Sequence, residues 1–112
     1  TGIATERIAA DVANIKSLSL SGAIKYALTK TNVNYYITSN DYIIACAGVN
    51  IYLPSVIADN QGQVYIIKNE SGTSIVYPFG SDVIDLSLTS ITLLASDSIT
   101  LVSNGGTGWL II

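Results

Sequence analysis

The sequence predicts an all-β domain, built as an antiparallel β-sandwich or barrel. Two patterns carry that expectation. From Asn34 onward, short β-branched and aromatic runs alternate with clusters of Gly, Ser, Asn and Asp, the signature of strands and turns. Those turns recur every eight to twelve residues or so, the spacing of antiparallel sandwiches and barrels. The composition adds a third observation: of 112 residues, 49% are apolar and only 12% charged, about half the ~25% charged content of an ordinary soluble domain. A chain of this length makes one domain with one core.

The first segment follows a different period. Ile8, Val12 and Ile15 recur at spacings of four and three, Thr5 is placed to cap, and Glu6, Asp11 and Lys16 suit the ends of a helix dipole. A short helix is expected there. Ile8, Val12 and Ile15 fit d, a and d of a heptad, so the seam suits either packing on the domain itself or the end of a coiled-coil stalk. Isolated short helices are marginal in water, so this one needs neighbours. Between Ser17 and Thr31 the period approaches two, which reads as a connector with extended pieces. The expected division is therefore residues 1–33 as a helical neck and connector, and residues 34–112 as a β head. The absence of any Met is expected of an excised fragment or a processed chain.

The expected strands are Tyr35–Thr38, Tyr42–Ala47, Asn50–Leu53, Val64–Asn69, Ser74–Phe79, Val83–Leu88, Ile91–Leu94, Ile99–Ser103 and Trp109–Ile112. Their faces differ. In Val83–Thr89, Ile84, Leu86 and Leu88 alternate with polar residues, so one side should be buried and the other wet. In Tyr42–Ala47 and Val64–Ile67 both faces are apolar. A sandwich buries only one face per strand, so the second needs the N-terminal segment or another subunit as cover. No internal repeat with a period of roughly 20–50 residues is evident.

Chemistry is scarce. The chain has no His, five Lys plus Arg, and eight Asp plus Glu, for a net charge of −3 and a pI near 4.4. General acid–base catalysis loses its usual group, and nucleic-acid or anionic-membrane binding loses its basic stripe. No apolar run reaches the ~18 residues of a membrane helix. Asp82 and Asp85 lie three apart, on opposite faces of the expected strand. Asp41, Asp59 and Asp97 sit in turns, where Asp bonds to nearby backbone. The Gly-rich Asn104–Gly108 stretch precedes a strand rather than a helix and reads as a hairpin turn. Cys46, the single cysteine, is expected to be buried as a small hydrophobe. Asn69-Glu70-Ser71 matches a glycosylation sequon, a pattern common by chance. No enzyme, metal or cofactor is expected.

The positive signal is aromatic and neutral-polar: seven Tyr, one Trp and one Phe among many Ser, Thr and Asn. Such side chains suit sugars, whose rings stack on aromatic faces and whose hydroxyls pair with amides. Core or interface packing is the competing use of each Tyr, and Trp109 is expected to pack. Asn60, Gln61, Gln63, Tyr77 and Phe79 flank long or polar loops and are the candidate receptor or glycan contacts.

The order Asp41-Tyr42-Ile43-Ile44, Ile51-Tyr52-Leu53-Pro54, Gly62-Gln63-Val64-Tyr65-Ile66-Ile67-Lys68-Asn69, Val83-Ile84-Asp85, Ser98 through Gly105 and Trp109-Leu110-Ile111-Ile112 resembles a β-rich domain found in the C-terminal part of phage tail-fibre and other viral fibre or appendage proteins. The resemblance implies a non-enzymatic, jelly-roll-like head of a homotrimeric virion fibre, made in the host cytoplasm, with a stalk at the N-terminus. Its exposed distal loops would bind a host-surface glycan or protein receptor. Ile8, Val12 and Ile15 would then be trimerisation residues. Fold likeness alone does not give receptor binding, so a structural trimerisation or capsid-attachment module and a non-viral carbohydrate-binding module remain the alternatives.

Overall fold

The computed structural model describes residue 17 and residues 19–112. The expected N-terminal helix and the Ile8, Val12 and Ile15 seam lie outside the described residues. Among the described residues, ten strands form two sheets: β1 (Leu28–Thr31), β2 (Tyr35–Tyr36), β3 (Ile43–Cys46), β4 (Asn50–Tyr52), β5 (Val64–Asn69), β6 (Ser74–Tyr77), β7 (Val83–Ile84), β8 (Ile91–Leu93), β9 (Ser98–Ser103) and β10 (Gly108–Ile111). The larger sheet has the order β1-β3-β5-β9-β10-β7, and the smaller β2-β4-β6-β8. The described residues are all-β apart from a short 3-10 turn, as the alternating runs predict.

The expectation of an antiparallel sandwich needs correction. β1, β3 and β5 are mutually parallel neighbours in one sheet, and β2, β4 and β6 are parallel neighbours in the other. The chain therefore winds: β1 leads through β2 of the small sheet to β3, and β3 through β4 to β5, each return falling one position along. Parallel neighbours need a long crossover, and here that crossover is itself a strand of the opposite sheet. Among the described strands, β8, β9 and β10 add the antiparallel pairings, β8 on β6 and β9 on β5 and β10. β7 then runs parallel to β10.

The coils escape a repeat search because they are unequal. The step is 15 residues from Leu28 to its partner Ile43 and 23 from Ile43 to its partner Ile66. The excess lies in the loop after β4, which holds a 3-10 turn at Ala58–Asn60. β1 belongs to the large sheet, so the sheet begins at Leu28, inside the stretch expected to be connector.

One core fills the space between the sheets. Ile44, Cys46, Tyr65, Ile67, Ile84, Leu101 and Trp109 from the large sheet meet Ile51, Val76 and Leu93 from the small one, with Ile37, Leu53 and Val56 from the adjoining loops. Trp109 has no exposed surface, and its ring packs on Tyr65 with centroids 5.4 Å apart. Both Trp109 and Cys46 are buried, as expected.

The corners are fixed by backbone conformation and by one side chain. Gly48, between β3 and β4, and Gly72, between β5 and β6, have φ of +63° and +66°, a region costly for residues with a Cβ. They stack so closely that a Cβ on Gly72 would lie 3.2 Å from Gly48 Cα. Beneath them sits Asn69, fully buried. Its Oδ1 accepts from Gly48 N (3.2 Å) and Ser74 Oγ (2.9 Å). Its Nδ2 donates to Gly72 O (2.8 Å) and Leu93 O (3.0 Å).

The half-wet strand expected over Val83–Leu88 does not form beyond Ile84. Residues 85–87 turn, Ile84 and Leu88 exchange backbone hydrogen bonds, and Leu86 is 92% exposed. Asp85 makes the turn by adopting φ +54°, a conformation Asp tolerates better than most residues. Its Oδ1 accepts from Ile111 N at 3.0 Å. Alternation alone did not distinguish this turn from a strand.

Candidate functional site

Two surfaces stand out, one on the outer side of each sheet. On the large sheet, Ile44, Cys46, Tyr65 and Ile67 are turned into the core, so by strand alternation Ile43, Val64 and Ile66 are turned out. Register places Leu28, Ile43, Ile66 and Thr100 side by side in one row. Val64, Val102 and Leu110 form the next. Leu28 is 58% exposed and Leu110 39%, while Ile43, Val64, Ile66 and Val102 are half-buried. The row toward the corners is Lys30, Ala45, Lys68 and Ser98. Lys30 pairs with Glu70 at 3.7 Å, and Lys68 Nζ donates to Ser96 O. The outer face is thus apolar over two rows and cationic along its corner edge. The two strands that the sequence marks as apolar on both sides, β3 and β5, do present apolar residues outward.

On the small sheet, Ile51 and Val76 face the core and the neighbouring tyrosines face out. Tyr36 is the register partner of Tyr52, and Tyr52 of Tyr77. Their rings stack as a ladder: 4.5 Å and 19° between Tyr36 and Tyr52, 5.6 Å and 17° between Tyr52 and Tyr77. Tyr36, on the edge strand, is 70% exposed, and the other two are half-buried. Asn50, Ile75 and Thr92 form the adjacent outward row.

The loop residues singled out by sequence divide. Asn60 and Gln63 meet at an open cleft of about 440 Å³ that Ser55 and Asp59 also line. Asn60 is committed to the protein: its Oδ1 accepts from Ile57 N and Ser103 Oγ, and its Nδ2 donates to Ser55 O. Gln61 lies outside the cleft lining, against Gly105, where an added Cβ would fall 2.6 Å from Gln61 Cβ. Tyr77 belongs to the ladder. Phe79 is 59% exposed and lines neither the cleft nor the ladder. The five residues therefore do not form one site.

Several acidic and amide side chains serve backbone. Asp82 accepts from Val56 N, Asp97 from Leu94 N, and Asn104 from three successive N–H groups, Gly106 to Gly108. Asp41 is buried and accepts from the Thr29 hydroxyl (2.6 Å), the Tyr35 hydroxyl (2.8 Å), Thr38 N (2.8 Å) and the Thr38 hydroxyl (3.2 Å). Burial pushes its pKa up, but these hydrogen bonds outweigh burial and hold the carboxyl below its ordinary 3.8. Burial, with Asp41 beside it, raises the Tyr35 hydroxyl. The turn role expected of Asp41 holds. The Asn69 sequon is closed in the folded protein, because its amide is fully buried and bonded at both ends.

No protein-family model matches this sequence. No curated protein matches it either.

Proposed function

We propose that this chain is an assembling head domain of a viral fibre, a homotrimer that attaches to a neutral glycan on a host surface. The observation that carries the reading is the outward apolar face of β3 and β5. Ile43, Val64, Ile66, Val102 and Leu110 form a contiguous apolar surface on a chain poor in charge, and surfaces of that kind mark protein contacts. Identical faces are covered most economically by closed cyclic symmetry, and the resemblance to fibre heads supplies the three-fold order. Attachment to a neutral ligand fits a chain of −3 net charge whose tyrosines outnumber its lysines and arginines.

Assembly and attachment are tested together by the solution mass of the full chain and by its binding to host cells or a glycan array. A trimeric mass with saturable binding supports the reading. A trimer without saturable binding leaves a structural module, and a monomer contradicts the assembly.

A further inference from the structure

We propose that the free end of the Tyr36–Tyr52–Tyr77 ladder is a stacking subsite for one uncharged pyranose ring; the inference rests on the attachment reading above and gives it a place. Tyr52 has a ring on each side, at 4.5 and 5.6 Å. Tyr36 has Tyr52 on one side only. Its strand, β2, ends the small sheet, and the ring is 70% exposed. An aromatic ring gains by burial, so ladder stability alone explains Tyr52 well and Tyr36 least. A flat ring carrying C–H groups on one face would extend the ladder by one step, its C–H dipoles against the electron-rich face of Tyr36.

The polar surroundings suit a sugar. The Tyr36 and Tyr77 hydroxyls make no hydrogen bond among the described residues, and Asn50 donates from Nδ2 to the Tyr52 hydroxyl at 3.4 Å, leaving its Oδ1 as an acceptor. No strand of the small sheet contains a charged residue: they read Tyr-Tyr, Asn-Ile-Tyr, Ser-Ile-Val-Tyr and Ile-Thr-Leu. A phosphate or carboxylate ligand would meet no cation on these strands, whereas a neutral saccharide needs none.

Saturation-transfer difference NMR on the full chain, with lactose, maltotriose and chitotriose as probes and 3′-sialyllactose as the charged comparison, tests this. The expected result is a saturable signal from at least one neutral saccharide, strongest on the protons of one ring face. Tyr36→Ala should weaken it at least five-fold, while Tyr36→Phe, which keeps the stacking face, should retain it. Absence of a saturable signal from all three neutral probes overturns the proposal, as does a signal that Tyr36→Ala leaves unchanged. A change of oligomeric mass in Tyr36→Ala also overturns it, since the ladder end would then be a contact between copies. Absence of the saccharide signal from a parent chain that is trimeric and attaches to cells sinks the subsite alone. A saturable saccharide signal from a chain that does not attach to cells sinks the attachment reading alone.

Discussion

The backbone N–H of Gly48 donates to the side-chain oxygen of Asn69 across 3.2 Å, tying the β3–β4 corner to the end of β5. The same amide reaches Gly72, Ser74 and Leu93, so one buried side chain joins two successive coils and β8. Asn69→Ala would leave several buried groups unpaired at ~1–3 kcal/mol each, and a total loss of about 3 kcal/mol or more is expected. In a domain near this size, that lowers the thermal midpoint by more than 10 °C or so. Calorimetry checks it, and a shift of only a degree or two would mean that the corners hold themselves.

Asp41 gives the fold an acid-sensitive point. Its carboxyl titrates below its ordinary 3.8 in the folded chain, so between those values the unfolded state binds more protons and stability rises with pH. The contribution is complete above about 3.8 and is lost as pH falls through the depressed folded value. Asp41→Asn should flatten stability against pH in that window. It should also cost ~1–3 kcal/mol at neutral pH, because an amide presents donors where a carboxylate accepted. Urea unfolding at a series of pH values measures both effects.

Ile66 lies in the middle of the outward apolar row, between Ile43 and Thr100. Ile66→Asp puts a carboxylate into the proposed subunit contact, which weakens association by at least ~2 kcal/mol, or about 30-fold. Lys68→Ala, on the same strand but in the cationic row, should change association little, since exposed charges contribute at most about 1 kcal/mol. Sedimentation velocity across a dilution series distinguishes the two variants.

The N-terminal stripe carries a separate expectation. Ile8→Asp or Val12→Asp should weaken assembly while leaving the β sheets formed, visible as an unchanged far-ultraviolet circular dichroism spectrum with a lower mass on dilution. If both variants keep the parent mass at low concentration, Ile8, Val12 and Ile15 are not a subunit seam.

All nine expected runs contribute residues to strands, because β-branched and aromatic residues between Gly, Asn, Ser and Asp turns constrain the backbone locally. Partnership was not legible. Alternation states which face a side chain takes, not which strand lies beside it, so a winding coil and an antiparallel sandwich read alike. β1 was hidden because Leu-Thr-Lys-Thr mixes small polar and charged residues at a sheet edge. The ladder was hidden because Tyr36, Tyr52 and Tyr77 are spaced by 16 and 25 residues, and only stacking brings them together. A signal for it exists: three strands that follow corners each end in Tyr, after Asn34, Asn50 and Ser74. Asn60 was legible as a loop residue, but not as one whose amide the loop already uses.

Assembly through the outward face of β3 and β5 is tested most directly by the mass of the full chain in solution at micromolar concentration. Light scattering should return three times 11.8 kDa for the parent and a lower mass for Ile66→Asp at the same concentration. A parent mass of 11.8 kDa would contradict it, since the apolar rows would then face water in a stable monomer.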